Sequence, residues 1–409
     1  ELEKARVVLE SLQVVKLDNF FRDPCSQVAE EPVIIDNVDP QAAVIYPILL
    51  DDSLEVIVTL PGKPLRHYST REQGIDRKAV ETTIDLLRRR SFLNPRFAEA
   101  LRGARGNERQ VQVVQNSQQE SIQTDIIPLA ADLYDWLLQP IASELKASKV
   151  NTLVFVLDGA LRNIPMALLY DRAERKYLIQ KDYNIALSAG LQLTNPQPLK
   201  KQPIKVLAAG VSKKLSNYPD LPPLPKVKEE LGQIQRTFDK SEILLNDRFT
   251  QESLRQKLRE SDYPVVHLAT HGQFGSTSDR TFILSGAEKI NVKQFDELLR
   301  TRNVRNSQPI ELLVLSACNT AQGDEQAILG LAGVAVRAGA RSTLATLWAA
   351  NDDATAELMG QFYDTLAANA NISKAKALRS AQLSLLEQPN SQYNHPYYWA
   401  PFVLVGNWL

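Results

Sequence analysis

Val265-Val266-His267-Leu268-Ala269-Thr270-His271-Gly272 and Leu312-Leu313-Val314-Leu315-Ser316-Ala317-Cys318-Asn319 are the two stretches on which the reading of this chain turns. Each begins as a short aliphatic run, the pattern of a strand covered on both faces. Each then delivers a reactive side chain at its C-terminal end, His271 in the first and Cys318 in the second.

Outward from this pair the pattern alternates. Lys205 to Ala209 reads as a strand, followed by a proline-rich loop to Pro225 and a helix with Val227, Leu231, Ile234 and Phe238 on one stripe. A short strand at 243–245, a helix from about Gln251 to Arg259 and a helix near Val292 to Arg300 frame the two central strands. A Gly- and Ala-rich helix from about Leu329 to Ala338, a strand at 341–348, helices over 353–369 and 373–387, and a last strand at 402–406 complete this half. Such alternation predicts an α/β fold, a mostly parallel sheet with helices on both faces. Ligands of such sheets collect outside the C-terminal strand ends, where His271 and Cys318 are expected to meet.

The first half is less regular. Residues 4–22 predict an amphipathic helix through Val8, Leu9, Leu12, Val15 and Phe20, packed on the body or linked to further repeats. Two runs around Asp51-Asp52-Ser53 predict a hairpin, and residues 77–103 a helix bent near Asn94-Pro95. Residues 104–123 predict a polar surface loop, and 127–145 a helix interrupted near Pro140. Asn151 to Leu157 is a buried-strand run closed by Asp158-Gly159, while 161–168 is compatible with strand or helix. Three prolines and two lysines between Asn195 and Pro203 mark a junction, giving an N-terminal α+β region over 1–200 that extends or braces the sheet of 201–409.

Composition narrows the function. Forty-seven basic residues against forty-eight acidic ones leave a net charge of −1, which favours neither nucleic acid nor an anionic membrane as partner. No apolar run approaches the roughly 20 residues that span a bilayer. Residues 1–6 lack the features of a secretory signal, so a cytoplasmic setting is expected, and the abrupt helical start predicts further sequence upstream. Cys25 and Cys318 are the two cysteines; their contexts differ, so a disulfide framework is not expected and Cys318 reads as a free thiol.

A thiol nucleophile needs a base, a proton source for the leaving group, and donors aimed at the developing oxyanion. Cys318 is the candidate nucleophile, and His271 the candidate for both the base and the proton source. Gly272 lets a substrate carbonyl approach the main chain, so that its N–H and that of Cys318 form the oxyanion hole. Ser316 leaves space beside the nucleophile, and Asp352, although an N-terminal helix acid in its own right, is a candidate for a basic substrate residue. His267 and His271 form an HxxxH pattern, but on a strand side chains four apart are about 13 Å apart. That is too far for one ion, so His267 is read as structural, no metal site is expected, and no cofactor is implied. His271 precedes Cys318 by about 50 residues, the spacing of caspase sequences.

Residues 266–274, 313–320, Gly339-Ala340-Arg341-Ser342 running into Leu347-Trp348, and Leu157-Asp158-Gly159-Ala160-Leu161-Arg162-Asn163-Ile164-Pro165 together resemble the CHAT domain, a caspase-like peptidase domain often found beside tetratricopeptide repeats. The resemblance spans about 150–409 strongly. It implies a caspase–separase type of sheet, a His271–Cys318 dyad, and Gly272 and Cys318 amides at the oxyanion, while Trp348 joins Ser316 and Asp352 as a candidate substrate-binding residue. It further implies a protein or peptide substrate and regulation by an upstream repeat or sensor region or by a regulatory protein. Metacaspases carry Asp-Ser-Cys at the nucleophile, whereas Ser316-Ala317-Cys318 stands here, so the resemblance implies no preference for basic residues. A catalytically silent scaffold of the same fold and a thiol acyltransferase are the alternatives.

Overall fold

A strand can occupy the middle of a sheet only if both of its faces are covered, and all five residues of Val265–Ala269 are buried. This segment belongs to a computed structural model that describes residues 1–21, 35, 38–91, 126–191, 196–197, 204–273, 281–286, 288–300, 308–316, 340–348, 350–369, 371–389 and 391–409. The strands, in chain order, are β1 (Ala42–Leu49), β2 (Leu54–Thr59), β3 (Arg66–Ser69), β4 (Thr152–Phe155), β5 (Tyr170–Asp171), β6 (Lys176–Tyr177), β7 (Asn184–Leu187) and β8 (Val206–Gly210). They continue as β9 (Ser241–Leu245), β10 (Val265–Ala269), β11 (Gly272–Gln273), β12 (Phe282–Leu284), β13 (Lys289–Asn291), β14 (Leu312–Ser316), β15 (Ser342–Thr346) and β16 (Phe402–Gly406).

Eleven of these form one sheet in the order β3-β2-β1-β4-β7-β16-β15-β14-β10-β8-β9. Strands β15, β14, β10, β8 and β9 are mutually parallel. So are β1, β4, β7 and β16. The two blocks meet where β16 pairs antiparallel with β15, so their strands point in opposite directions and their C-terminal ends lie on opposite edges. The mostly parallel α/β sheet expected from the alternation is thus present, and the N-terminal region extends it. Within the junction read between Asn195 and Pro203, only residues 196–197 are described.

On the C-terminal block the even and odd positions of each strand feed different cores. Val206, Ala208, Val265, Ala269, Leu312 and Val314 pack in one cluster with the helices Val227–Thr237 and Asp352–Ala368. Leu207, Ala209, Val266, Leu268, Leu313 and Leu315 pack in the other, with Gln251–Glu260 and Val292–Arg300. Each large aliphatic side chain so buried contributes about 1.5–3 kcal/mol.

The hairpin at β1–β2 and the strands at 152–155 and 206–210 follow the sequence reading. The ambiguous stretch 161–168 resolves as neither strand nor α-helix. Pro165 separates two 3-10 turns, Gly159–Asn163 and Met166–Leu168, because proline cannot continue the first turn. The helix Leu2–Phe21 is present, but only part of its expected apolar stripe is buried: Leu9 packs in the core, whereas Val8, Leu12 and Val15 are 67%, 43% and 53% exposed and Glu10 and Gln13 are buried. The reason is local demand for hydrogen bonds, since Glu10 accepts from the Tyr46 hydroxyl at 2.8 Å and Gln13 donates to the Leu157 carbonyl at 3.4 Å. The loop read at 104–123 and the helix read at 329–338 lie outside the described residues.

Candidate active site

β10 and β14 are neighbours in parallel register, with Ala269 opposite Ser316. Their backbones run about 4.8 Å apart. His271 follows Ala269 by two residues, and Cys318 follows Ser316 by two in the sequence, although Cys318 itself lies outside the described residues. Thr270 anchors the exit of β10 by donating its hydroxyl to the Leu284 carbonyl at 2.6 Å.

His271 is half-buried, and its Nε2 lies 2.8 Å from the Pro222 carbonyl oxygen. A carbonyl only accepts, so Nε2 carries the hydrogen and Nδ1 is the lone-pair nitrogen of the neutral ring. Burial lowers the imidazole pKa below its ordinary value, and the carbonyl contact offsets part of that effect. The ring is therefore a neutral base near pH 7.

Gly272 opens β11 and stands opposite Ile283 of β12. The Leu284 N–H donates to the His271 carbonyl at 2.8 Å. In an antiparallel ladder that bond makes Gly272–Ile283 the pair that exchanges no hydrogen bonds of its own. The Gly272 N–H is thus not spent on β12, a requirement for any oxyanion role.

The other sequence-selected residues have different surroundings. His267 is fully buried in mid-strand, its Nδ1 2.9 Å from the Tyr363 hydroxyl. Glu230 Oε1 lies 3.0 Å from His267 Nε2, at ion-pair distance though not aligned for a hydrogen bond. Ser316 is buried beside this group, with Oγ 3.4 Å from the same Nε2. Trp348 is buried as well, donating its indole N–H to the Tyr397 carbonyl at 3.1 Å. Ser316 and Trp348 therefore make internal contacts, and Asp352 is the partly exposed member of the expected substrate set. Asp352 caps the approach to helix Val227–Thr237 by accepting the Lys226 N–H at 2.8 Å. Burial, reinforced by Glu230 and Asp353, pushes its carboxyl up to about 6, against the lowering effect of that N–H. Among the described residues no group of His, Cys, Asp and Glu could hold a metal ion, and no helix is long and apolar enough to cross a membrane.

Pro222, Glu230 and Tyr363 are the residues around the two histidines that sequence reasoning missed. Pro222 acts through its main chain, which leaves no trace in side-chain chemistry. Glu230 offered one faint signal, since it falls beside the apolar stripe Val227, Leu231 and Ile234 and is buried with them.

A model of the CHAT domain matches residues 128–407. Tetratricopeptide repeat protein 28 of Mus musculus is 25% identical over 332 residues, covering 68% of this chain and 13% of that protein. Its Homo sapiens counterpart is 24% identical over 330 residues with the same coverage, so the chain spans about an eighth of the length of these curated relatives. Among solved structures, the Saccharomyces cerevisiae separase–securin complex superposes with a TM-score of 0.59 at 9% identity, over 98% of this chain and 31% of that one. The likeness to separase is one of fold.

Proposed function

Because the chain belongs to the CHAT domain family and has a caspase-like fold, we propose that it is a cysteine endopeptidase acting on a protein or peptide substrate. The observation that carries this reading is the Ala269–Ser316 register: two residues beyond each partner, the sequence supplies the base and the nucleophile of one reaction. Geometry at His271 supports it further. A ring whose Nε2–H is held by the Pro222 carbonyl offers Nδ1 to a proton, and its lowered pKa keeps it neutral near pH 7.

In this reading the Cys318 sulfur adds to the substrate carbonyl and its proton passes to His271. The tetrahedral oxyanion is held by the N–H groups of Gly272 and Cys318. The C–N bond breaks as His271 returns the proton to the departing amine, leaving a thioester. Water then adds to the thioester with His271 as base, the C–S bond breaks, and the protonated thiol is restored. No cofactor takes part in these steps. The exposed stripe of Val8, Leu12 and Val15 supports a helical protein partner on the helix Leu2–Phe21, in keeping with the repeats in the names of the curated relatives. A repeat or sensor region, or a regulatory protein, would fill that role in a cytoplasmic effector.

The test is labelling with peptidyl electrophiles spanning several P1 residues, on the chain alone and with its regulatory region present. Modification should occur at Cys318, vanish in Cys318→Ala and fall sharply in His271→Ala. Absence of Cys318-dependent labelling under both conditions would replace the peptidase with the silent scaffold, and transfer of the acyl group to an added amine in preference to water would indicate an acyltransferase.

A further inference from the structure

We propose that Asp352 is a positioning residue for His271, acting through a proline strut that joins the two; this rests on the peptidase reading of His271. The strut is Pro222-Pro223-Leu224-Pro225-Lys226. At one end the Pro222 carbonyl accepts the His271 Nε2–H at 2.8 Å. At the other, the Lys226 N–H donates to Asp352 Oδ2 at 2.8 Å. Three prolines in five residues fix φ at about −65° and leave little slack between these contacts. Leu224 pins the middle: its side chain is buried in the core, and its N–H donates to the Ser212 carbonyl at 3.2 Å.

The Asp352 end is firmly placed. Asn351 caps the helix Asp352–Ala368 by accepting the Ala354 N–H at 3.0 Å, which fixes where the Asp352 carboxylate begins. Lys226 is held a second time through its side chain, which lies 2.9 Å from Glu229 and 3.7 Å from Asp353. A shift at Lys226 is therefore transmitted along a stiff segment to the carbonyl that sets the tautomer and tilt of the His271 ring. The structure thereby gives Asp352 a role that needs no contact with substrate, distinct from recognition of a basic side chain.

The two roles separate by experiment. Asp352→Ala removes the acceptor, whereas Asp352→Asn keeps an acceptor oxygen and loses only the charge; the Asn351 cap remains in both. With the full chain and a fluorogenic peptide, Asp352→Ala is expected to lower kcat by about ten- to a hundredfold at unchanged KM, for neutral and basic P1 residues alike. Asp352→Asn should recover most of that loss. A rise in KM confined to basic substrates, equal in the two variants, would overturn the strut in favour of substrate recognition.

A second readout needs no catalysis. The chain has four histidines, so [15N]-histidine labelling yields four imidazole signals. The His271 Nε2–H should exchange faster with solvent in Asp352→Ala, and in Pro223→Gly combined with Pro225→Gly, than in the unaltered chain. An unchanged His271 signal in both variants would refute the strut outright. A changed signal in a chain that never modifies Cys318 would keep the strut and refute the peptidase.

Discussion

The ends of β4 and β10 answer one physical problem in two ways. Each belongs to a buried strand in a parallel block, and each must satisfy main-chain groups where the sheet stops. Beyond β4 the space is filled. The Leu157 carbonyl receives Arg162 Nε at 3.0 Å and Gln13 Nε2 at 3.4 Å, and Arg162 Nη2 reaches both Gln13 Oε1 and, at 3.5 Å, Asp158. Beyond β10, among the described residues, the half-buried imidazole of His271 is held by the Pro222 carbonyl. The difference is in what caps each strand end: a network of side chains on main-chain groups beyond β4, and an imidazole held through one nitrogen by a main-chain carbonyl, among the described residues, beyond β10. The sequence advertises a polar residue at both ends, Asp158 and His271, and only the packing tells them apart.

This contrast can be broken by exchanging the consequences of two truncations. His271→Ala should lower the rate of electrophile labelling at Cys318 by about a thousandfold or more, with little change in melting temperature. In the unaltered chain the same rate should fall on the acid side only below the ordinary imidazole pKa of 6.5, because burial lowers the value for His271 and the ring must be neutral to accept a proton. Arg162→Ala should do the reverse, costing about 1–3 kcal/mol of stability in denaturant titrations, since it removes a buried donor to the Leu157 carbonyl and to Gln13 Oε1. If Arg162→Ala instead spared stability and silenced labelling, the two ends would not be independent.

A buried histidine without outward access sharpens the comparison. His395 accepts the Tyr397 N–H on Nδ1 at 3.2 Å, and burial holds its pKa at about 4, against 6.5 in an exposed setting. Between these values the unfolded chain binds a proton that the folded one does not. Stability should therefore decline as pH falls from 6.5 toward 4, by up to about 3 kcal/mol. His395→Asn, which keeps an acceptor for Tyr397, should flatten that part of the stability–pH curve. The smallest effect is expected at Thr250, whose hydroxyl accepts the Ser253 N–H at 3.1 Å at the start of helix Gln251–Glu260. Thr250→Ala should cost about 1 kcal/mol by thermal melting and leave labelling untouched.

Much of this molecule was legible in its residues because the signals were local. A short aliphatic run such as Leu312–Ser316 fits a covered strand, and strands alternating with amphipathic helices favour a mostly parallel sheet. His267 was separable from His271 by its mid-strand position and the rise of about 13 Å over four strand residues, and its buried contacts are to Tyr363 and Glu230. Short strands such as β7 and β11 to β13 carried too few residues for any period to register. The antiparallel seam at β16 was hidden because strand direction depends on how the chain returns, and not on the five residues of Phe402–Gly406. The helix Leu2–Phe21 misled for a related reason, since periodicity counts apolar surface and is blind to a carbonyl and a hydroxyl that need partners.

What the sequence determined by itself was the α/β alternation, the family, and the two buried strands whose continuations in the sequence reach His271 and Cys318. Tertiary structure alone decided which main-chain carbonyl orients His271, which face of the first helix is buried, and that Ser316 and Trp348 make internal contacts. Those outcomes depend on groups distant in sequence, Pro222 with His271 and Gln13 with Leu157 among them. Burial requires each polar atom to find a partner wherever the fold happens to supply one.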